Sequence, residues 1–263
     1  MIISFGIQKG GVGKTTASCM ISQYLAFNKN YKVLLIDMDP QANATMTFLE
    51  QKDRCIFDVI VRNIPLNEIV KKTQINTLDI VPSNIEMEDL ETYLVTKSDG
   101  PKRLRHLVDD YSLSNAYDFI IIDTPPHLGR LTMASLVTSD YVAVPLESES
   151  YSADGLNEFL KTVSIVQSEF NPKLKVIGAF LNKYETRTIL SRDITAQYEK
   201  QLGNMLFNTR IRQNVRIREC IAERATLFTF DGRSAGAEDF AALGDELLSR
   251  ITLNGDLIPV PSY

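Results

Sequence analysis

The chain has 263 residues, of which 44% are hydrophobic and 23% charged, as is typical of a globular protein with one large buried core. Its formal net charge of -5 gives no overall attraction to nucleic acid, so any contact with DNA requires a local basic patch. No apolar run approaches the roughly 18 residues of a membrane span, and the N-terminus lacks the features of a signal peptide, which argues against insertion and export.

Short apolar runs alternate with longer segments of helical period along most of the chain. The predicted strands are Ile2 to Ile7, Lys32 to Asp37, Leu78 to Pro82, Phe119 to Asp123, Tyr141 to Pro145 and Val176 to Leu181. The predicted helices are Lys14 to Asn28, Asn84 to Thr96, Lys102 to Ser112, Leu131 to Thr138, Ala153 to Phe170, Thr188 to Leu202 and Ala235 to Ile251. This alternation predicts an α/β fold, with a doubly wound, mostly parallel sheet and helices on both faces. Since no repeat or linker divides the chain, we expect one domain over residues 1–263, ending in a short tail from Asn254 to Tyr263.

A glycine-rich segment joins the first predicted strand to the first predicted helix. It reads Gln8-Lys9-Gly10-Gly11-Val12-Gly13-Lys14-Thr15-Thr16. Glycines let such a loop turn its backbone N–H groups inward around a phosphate, and the helix that follows adds the positive end of its dipole. Lys14 then reaches the β- and γ-phosphates, and the Thr15 hydroxyl ligates Mg²⁺. The strict phosphate-loop pattern has glycine where this chain has Gln8. The predicted nucleotide contacts in this loop are Gly10, Gly11, Val12, Gly13, Lys14, Thr15 and Thr16.

Three cysteines are spread through the chain, at Cys19, Cys55 and Cys220. They form no CxxC pair and have no histidine at metal-ligand spacing, and an odd number cannot all pair within one chain. We therefore predict buried thiols in a reducing cytoplasm.

Acidic residues stand at the ends of two predicted strands. The second strand runs into Asp37-Met38-Asp39-Pro40-Gln41, and strand alternation places both carboxylates on the side expected to face the phosphates. The alternative for Asp39 is a cap on the next helix. The apolar strand from Phe119 ends in Asp123, and Mg²⁺ in proteins is often held by one or two carboxylates while it keeps much of its water.

Together these motifs resemble those of the ParA/Soj partition ATPases, a deviant-Walker group of P-loop NTPases related to MinD. The shared features are K-G-G-x-G-K-T with its additional Lys9, D-x-D-P-Q from Asp37 to Gln41, the strand ending in Asp123, and Arg233-Ser234-Ala235-Gly236-Ala237-Glu238 as a form of R-S-x-G-A-E. The resemblance covers nearly the whole chain and implies an ATPase that uses ATP and Mg²⁺. Since the phosphate loop begins by Lys9, we expect no N-terminal helix-turn-helix domain of the kind found in large plasmid ParA proteins.

The resemblance also implies roles for the catalytic and metal residues. Lys9 is expected to cross a dimer interface and contact the partner's nucleotide, and Asp39 to orient the attacking water, so Lys9, Lys14 and Asp39 are the predicted catalytic residues. Asp37 is expected to support the Mg²⁺ shell and Asp123 to hold Mg²⁺, with Thr15 as the third metal residue. Such a set suffices because phosphoryl transfer needs mainly positioning and charge neutralisation.

Two further nucleotide contacts come from the resemblance. Asn182 follows a predicted strand at the place where related nucleotide switches contact the adenine edge, although an asparagine there is equally a turn former. Glu149 matches a family position that contacts nucleotide across the dimer.

Basic residues concentrate in the last third of the chain. Between Lys183 and Arg224 there are nine basic and five acidic residues, a local balance of about +4 that could meet phosphates. Two stretches resemble Soj-like segments that contact DNA, and they make Arg187, Arg216 and Arg218 the candidate DNA-binding residues. The loop from Ile211 to Val215 lacks the proline of the Soj-like pattern, and a solvated charged face is the alternative interpretation of the whole patch.

We therefore predict a cytoplasmic, nucleoid-associated switch that dimerises with ATP and binds non-specific DNA. Slow ATP hydrolysis, stimulated by a ParB-type partner, then drives segregation of a plasmid or chromosome. The alternatives are an orphan ParA-like ATPase that positions a protein cargo over the nucleoid, a DNA-bound scaffold whose ATP site only sets oligomeric state, and a MinD-like membrane switch. The last lacks support because the tail has no Lys or Arg to form a basic amphipathic helix, so we expect no membrane partner.

Overall fold

A computed structural model describes residues 1–51, 54–147, 153–185 and 189–255, and within them eight strands form one sheet. The strands are β1 (Ile2–Phe5), β2 (Val33–Asp37), β3 (Lys71–Lys72), β4 (Leu78–Val81), β5 (Phe119–Asp123), β6 (Tyr141–Glu147), β7 (Lys175–Tyr184) and β8 (Leu206–Arg212). Their order across the sheet is β3-β4-β2-β5-β1-β6-β7-β8, and every neighbouring pair is parallel except β3 with β4. The carboxyl ends of the central strands therefore meet at one edge, where ligands bind in open α/β sheets.

Helices connect the strands on both faces. They are α1 (Lys14–Gln23), α2 (Asn43–Phe48), α3 (Ile56–Arg62), α4 (Leu66–Ile69), α5 (Met87–Val95), α6 (Arg103–Asp110), α7 (Leu113–Ala116), α8 (Arg130–Thr138), α9 (Ala153–Glu169), α10 (Ile189–Leu202), α11 (Val215–Ala222), α12 (Leu227–Phe230) and α13 (Ala235–Leu253). A π-helical turn, Tyr24–Asn28, continues α1, and short 3₁₀ segments cover Gly100–Lys102 and Gly203–Met205. None of the helices in the described ranges is long and apolar enough to cross a membrane.

The sheet buries apolar side chains on both faces because alternate strand residues point to opposite sides. In β1, Ile3 and Phe5 join a core that also contains residues of α1 and α13. The neighbouring Ile2 joins a second core with residues of α5, α6 and α8, and a third core lies beneath α9 and α10. The predicted doubly wound α/β fold is thereby confirmed.

Several elements differ from the sequence-based prediction. The first strand ends at Phe5 rather than Ile7, and β7 is longer than predicted at both ends. The strand β8 was missed because it lies at the sheet edge, where Asn208 and Arg212 are exposed and interrupt the apolar pattern. The short helices α2, α3, α4, α7, α11 and α12 were missed as well. Helices of four to eight residues, as these are, contain too few residues to establish a periodic pattern.

Cys19, Cys55 and Cys220 are buried and unpaired with one another, as predicted. Burial raises the pKa of the Cys55 and Cys220 thiols to about 11, and that of Cys19 well above its usual value. These thiols remain protonated and unreactive at neutral pH. Of the predicted tail, residues 256–263 lie outside the described ranges.

Candidate nucleotide site

The phosphate loop leaves β1, turns tightly and enters α1 at Lys14. Gly11 has φ 79° and Gly13 has φ 89°, a left-handed backbone that favours glycine. A Cβ on Gly13 would also lie 2.0 Å from Nδ2 of Asn182, so only glycine fits this position. The loop backbone is thus fixed both by its own dihedral angles and by a side chain from β7.

The loop presents unpaired backbone donors to solvent. Within the described residues, no backbone or side-chain acceptor takes the amide N–H of Gly11, Val12, Gly13, Lys14 or Thr15. Gly13 is the N-cap of α1 and provides no side-chain cap. Unpaired N–H groups at a helix N-terminus form an anion site, and several of them pointing at one place suit a phosphate group.

Lys14 lies in this site and is almost fully buried, with 6% of its surface exposed. Its Nζ donates to the carbonyl oxygen of Lys9 at 2.7 Å, so the side chain folds back over the loop. Burial lowers the pKa of Lys14, while the charges of Asp123 and Asp39 act in the opposite direction. The position places an ammonium group where an anion held by the loop would be neutralised.

Asp37 and Asp123 stand opposite each other at the ends of β2 and β5. Oδ1 of Asp123 accepts from the Ser18 hydroxyl at 3.0 Å, whereas its buried Oδ2 has no hydrogen-bond partner among the described residues. Burial raises the pKa of Asp123 well above its usual value, and the nearby Asp37 raises it further. An unsatisfied, buried carboxylate oxygen beside a phosphate loop fits a bound cation, and oxygen is the ligand that Mg²⁺ prefers.

Asp37 differs from Asp123 because both of its carboxylate oxygens accept hydrogen bonds. Oδ2 accepts from the amide and the hydroxyl of Thr45 at 2.8 and 2.7 Å, and Oδ1 accepts from the amide of Asp39 at 3.1 Å. Burial raises the pKa of Asp37 to about 6 despite these bonds. Such a residue organises the loop after β2 and adds negative charge to the site, and its predicted support of the Mg²⁺ shell stays a prediction.

Asp39 lies two residues beyond β2 and is 6% exposed. Its Oδ1 accepts from the amide of Gln41 at 2.9 Å, and its carbonyl oxygen accepts from the Ser83 hydroxyl at 2.6 Å. The next helix, α2, has Ala42 as its N-cap, so Asp39 does not cap it. Asp39 instead lines a cavity of about 280 Å³ between α5 and the start of α8, which also contains His127.

Asn182, near the end of β7, is 4% exposed and donates from Nδ2 to the carbonyl oxygen of Val12 at 2.7 Å. It therefore clamps the phosphate loop, a role different from both the adenine contact and the turn predicted from the sequence. Contact with adenine stays a prediction for this residue. Glu149, the other predicted nucleotide contact from the resemblance, lies outside the described residues.

Two residues of the site carry no motif and were missed. Glu147, at the end of β6, binds Lys9 through Oε2 at 2.8 Å and Lys183 through Oε1 at 3.1 Å. Nζ of Lys183 also donates to the carbonyl oxygen of Gly11 at 2.6 Å. The only signal for this pair was a lysine directly after Asn182, and no pattern linked Lys183 to Glu147.

The basic patch of the last third is more neutral than its composition indicates. Arg212 binds Asp239 through two nitrogens, and Arg216 pairs with Glu219 at 2.8 Å and with Asp231 at 3.1 Å. The local balance of about +4 counted only the residues from Lys183 to Arg224. The fold brings acidic residues from beyond that stretch, Asp231 and Asp239, to these arginines.

The three predicted DNA contacts are placed differently. Arg218 is exposed and forms no ion pair within the described residues, whereas Arg216 is half exposed and paired. Arg187 lies outside those residues. Of the two arginines that can be placed, Arg218 is therefore the better available for an external phosphate.

Comparisons with known proteins agree with this geometry. A family model described as an AAA domain matches residues 1–176. The sporulation initiation inhibitor protein Soj of Bacillus subtilis is 36% identical over 249 residues, covering 94% of this chain and 97% of that protein. The chromosome partitioning protein ParA of Myxococcus xanthus is 33% identical over 254 residues, covering 95% of this chain and 89% of that protein. The crystal structure of cobyrinic acid a,c-diamide synthase from Mycobacterium smegmatis with bound ADP and magnesium has a TM-score of 0.83 at 28% identity, covering 100% of this chain and 99% of that chain.

Proposed function

The chain belongs to the ParA/Soj family of partitioning P-loop ATPases, and from this premise we propose that it is a DNA-binding switch whose ATP-bound form is a dimer. The observation that carries the proposal is the placement of Lys9 beside a phosphate loop with unpaired amides. That lysine distinguishes this group of ATPases from other P-loop proteins, and its location at the mouth of the site leaves it near any second chain that docks there.

The cofactors of the cycle are ATP and Mg²⁺, and the residues of the site fit both. The amides from Gly11 to Thr15 and the ammonium of Lys14 hold the phosphates, and the Thr15 hydroxyl and Asp123 hold the metal. When bound there, Mg²⁺ would neutralise charge on the transferring phosphate. Asp39 accepts a hydrogen bond from the attacking water and thereby orients it. Lys9 of one chain reaches the nucleotide bound to the other chain.

The DNA contact is electrostatic and independent of base sequence. It uses Arg218 together with Arg187 and Arg216, and Arg216 gives up its pairing with Glu219 and Asp231 when it binds a phosphate. Binding through a few phosphate contacts weakens steeply as salt rises because counterions are released. Two chains side by side double the number of contacts, so the dimer is expected to bind more tightly than the monomer.

Hydrolysis ends the bound state, and a ParB-type partner accelerates an otherwise slow turnover. The protein then acts at the nucleoid in segregating a plasmid or chromosome. The family membership supports this assignment, and the single sheet from β1 to β8 supports one folding unit that carries both the ATP site and the DNA contact.

Binding to non-specific duplex DNA tests the proposal directly. Wild-type protein with ATP and Mg²⁺ should bind at low salt, lose affinity at moderate salt, and bind poorly with ADP or without nucleotide. The Arg216→Ala/Arg218→Ala variant should lose at least tenfold in affinity and show a shallower dependence on salt, because each lost phosphate contact reduces the slope by about one.

Arg105→Ala is the matched control, since Arg105 is partly exposed and pairs with Asp109 on α6. It should bind DNA as the wild type does. Equal binding in all nucleotide states would contradict the switch, and no binding in any state would remove DNA as the surface recognised by the ATP form.

A further inference from the structure

Glu147 lies between two lysines that come from distant parts of the chain. Its Oε2 is 2.8 Å from Nζ of Lys9 in the phosphate loop, and its Oε1 is 3.1 Å from Nζ of Lys183 at the end of β7. Each carboxylate oxygen therefore binds one lysine. The arrangement joins the end of β6 to Lys9, which in the proposed cycle has to reach the nucleotide of another chain.

Lys183 is held in place independently of Lys9. Its Nζ donates to the carbonyl oxygen of Gly11 at 2.6 Å, and its backbone has φ 52°, which few residues other than glycine adopt. Such a conformation persists where the surroundings fix it. Lys183 is thus a built-in counterion for Glu147 that does not depend on the position of Lys9.

The charge on Glu147 is stable because of these two partners. Burial by itself disfavours the carboxylate, but hydrogen bonds from Lys9 and Lys183 outweigh it and lower the pKa of Glu147. If Lys9 moves away, Lys183 still compensates the charge. If Lys183 were absent, the departure of Lys9 would leave a mostly buried carboxylate alone, which is strongly unfavourable.

We propose that Glu147 is a positioning residue that holds Lys9 against its own chain, and that Lys183 allows Glu147 to release Lys9 when two nucleotide-bound chains meet. The inference rests on the proposed function, because Lys9 has to leave Glu147 only if it contacts the nucleotide of a second chain. Glu147 and Lys183 then set how much ATP is needed for dimerisation without contacting the reacting atoms themselves.

The expected change in the dimerisation equilibrium follows from how exposed the Lys9–Glu147 ion pair is. Lys9 and Glu147 side chains are 29% and 16% exposed, so their ion pair is screened by nearby water. Partly exposed pairs shift equilibria by roughly twofold to fivefold each, and a dimer breaks two of them. Removing the pair should therefore favour the dimer by about fourfold to 25-fold.

The test measures dimer formation against the concentration of a non-hydrolysable ATP analogue with Mg²⁺, by light scattering on a sizing column. Glu147→Gln should reach half-dimerisation about twofold to fivefold below the wild-type concentration, the square root of the change in the dimer equilibrium, because each dimer binds two nucleotides. Lys183→Gln should need more analogue than the wild type, and the double variant should behave as Glu147→Gln does. Glu147→Asp, whose shorter side chain cannot reach both lysines, provides a second variant that should also need less analogue.

The controls separate positioning from general damage. Glu68→Gln removes an ion pair of the same 2.8 Å length with Arg54, remote from the site, and should leave dimerisation unchanged. Binding of ADP to the monomer, measured for every variant, corrects for any effect of Lys183 on the loop through Gly11. If both residues only stabilised the fold, Glu147→Gln and Lys183→Gln would both need more analogue to dimerise. Opposite shifts in the analogue concentration are therefore the decisive readout.

The outcomes distinguish the inference from its premise. If the wild type fails to dimerise with the analogue, or if Lys9→Ala dimerises normally, the proposed dimer is wrong. If the wild type dimerises but Glu147→Gln and Glu147→Asp need the same amount of analogue or more, the positioning role of Glu147 is overturned while the dimer stands.

Discussion

At the scale of single residues, Asp123 shows how a binding site can oppose the stability of the fold. Its Oδ2 is buried without a hydrogen-bond partner among the described residues, and burial raises its pKa together with the charge of Asp37. A buried carboxylate with an unsatisfied oxygen destabilises the folded chain until a cation binds. The proposed metal role thus explains why an unfavourable group occupies the end of a central strand.

We predict that Asp123→Asn stabilises the nucleotide-free chain while it abolishes ATP hydrolysis. Removing the charge should add roughly 1 kcal/mol or more to the free energy of unfolding, which corresponds to about 2–4 °C in Tm for a chain of this size. The gain should shrink as pH falls, because protonation of the wild-type Asp123 at its raised pKa removes the same charge. Calorimetry at neutral and acidic pH measures both effects.

Asp109→Asn is the control for that change, since Asp109 is exposed and Arg105 is its one ion-pair partner among the described residues. Its effect on the free energy of unfolding should stay within about 0.5 kcal/mol. A lower Tm for Asp123→Asn at neutral pH would show that the carboxylate is better accommodated than its contacts indicate.

Motifs in the sequence pointed to some residues of the candidate site, whereas residues that the fold alone brings together were missed. Gly13, Lys14 and Asp123 follow from short patterns whose chemistry is local. Glu147 and Lys183 are separated from Lys9 by more than a hundred residues, and no local sequence pattern predicts an ion pair between residues so far apart. The clamp of Asn182 on Val12 depends likewise on the distance between β7 and the phosphate loop.

At the scale of elements, α8 obtains its N-terminal cap from another helix. Its own N-cap, Gly129, has no side chain, and the carboxylate of Glu91 on α5 accepts the amides of Arg130 and Leu131, the latter at 2.8 Å. A negative charge at this end also interacts favourably with the helix dipole. The cap fixes α8 against α5 on the side of the sheet where Asp39 and its cavity lie.

We predict that Glu91→Ala lowers the free energy of unfolding by about 1–2 kcal/mol, because two amides lose their acceptor. Urea unfolding followed by circular dichroism measures the change. Glu88→Ala on the same helix is the matched control, since the exposed Glu88 lines the same cavity but caps no helix in the described part of the chain. Equal effects of both substitutions would mean that the cavity, and not the cap, determines the loss.

Elements were predictable in proportion to their length and burial. The buried strand β5 matches its predicted range, and the long helices α9 and α13 lie within two residues of theirs. The strand β3 has two residues and β8 carries polar side chains at the sheet edge, so neither shows an apolar run. Such elements are fixed by pairing with a neighbouring strand, which the local sequence does not contain.

At the scale of the whole molecule, the last helix returns to the first. α13 packs on α1 and β8, and the hydroxyl of Tyr24 donates to Asp245 of α13 at 2.7 Å. The core on this face includes Phe5 of β1 and Phe240 of α13, so residues from both ends of the chain share one interior. The two ends of the described chain therefore stabilise each other.

We predict that the protein unfolds in a single cooperative transition. Calorimetric and van't Hoff enthalpies should agree, and far-UV circular dichroism and tyrosine fluorescence should give the same midpoint. Mg²⁺ with ADP at about a hundredfold excess over Kd should raise the free energy of unfolding by about 2.7 kcal/mol without splitting the transition. Two resolved transitions would contradict the single domain proposed for this chain.

The two outer strands of the sheet make it unfavourable for copies of this chain to pair edge to edge. On one side β3 ends after Lys71 and Lys72, and on the other Arg210 and Arg212 of β8 are engaged with acidic side chains. Short, charged outer strands are poor templates for a strand from another molecule. If the proposed binding to DNA holds, copies lined up along a duplex would reach high local concentration without polymerising through their sheets, and the nucleotide would decide when they join.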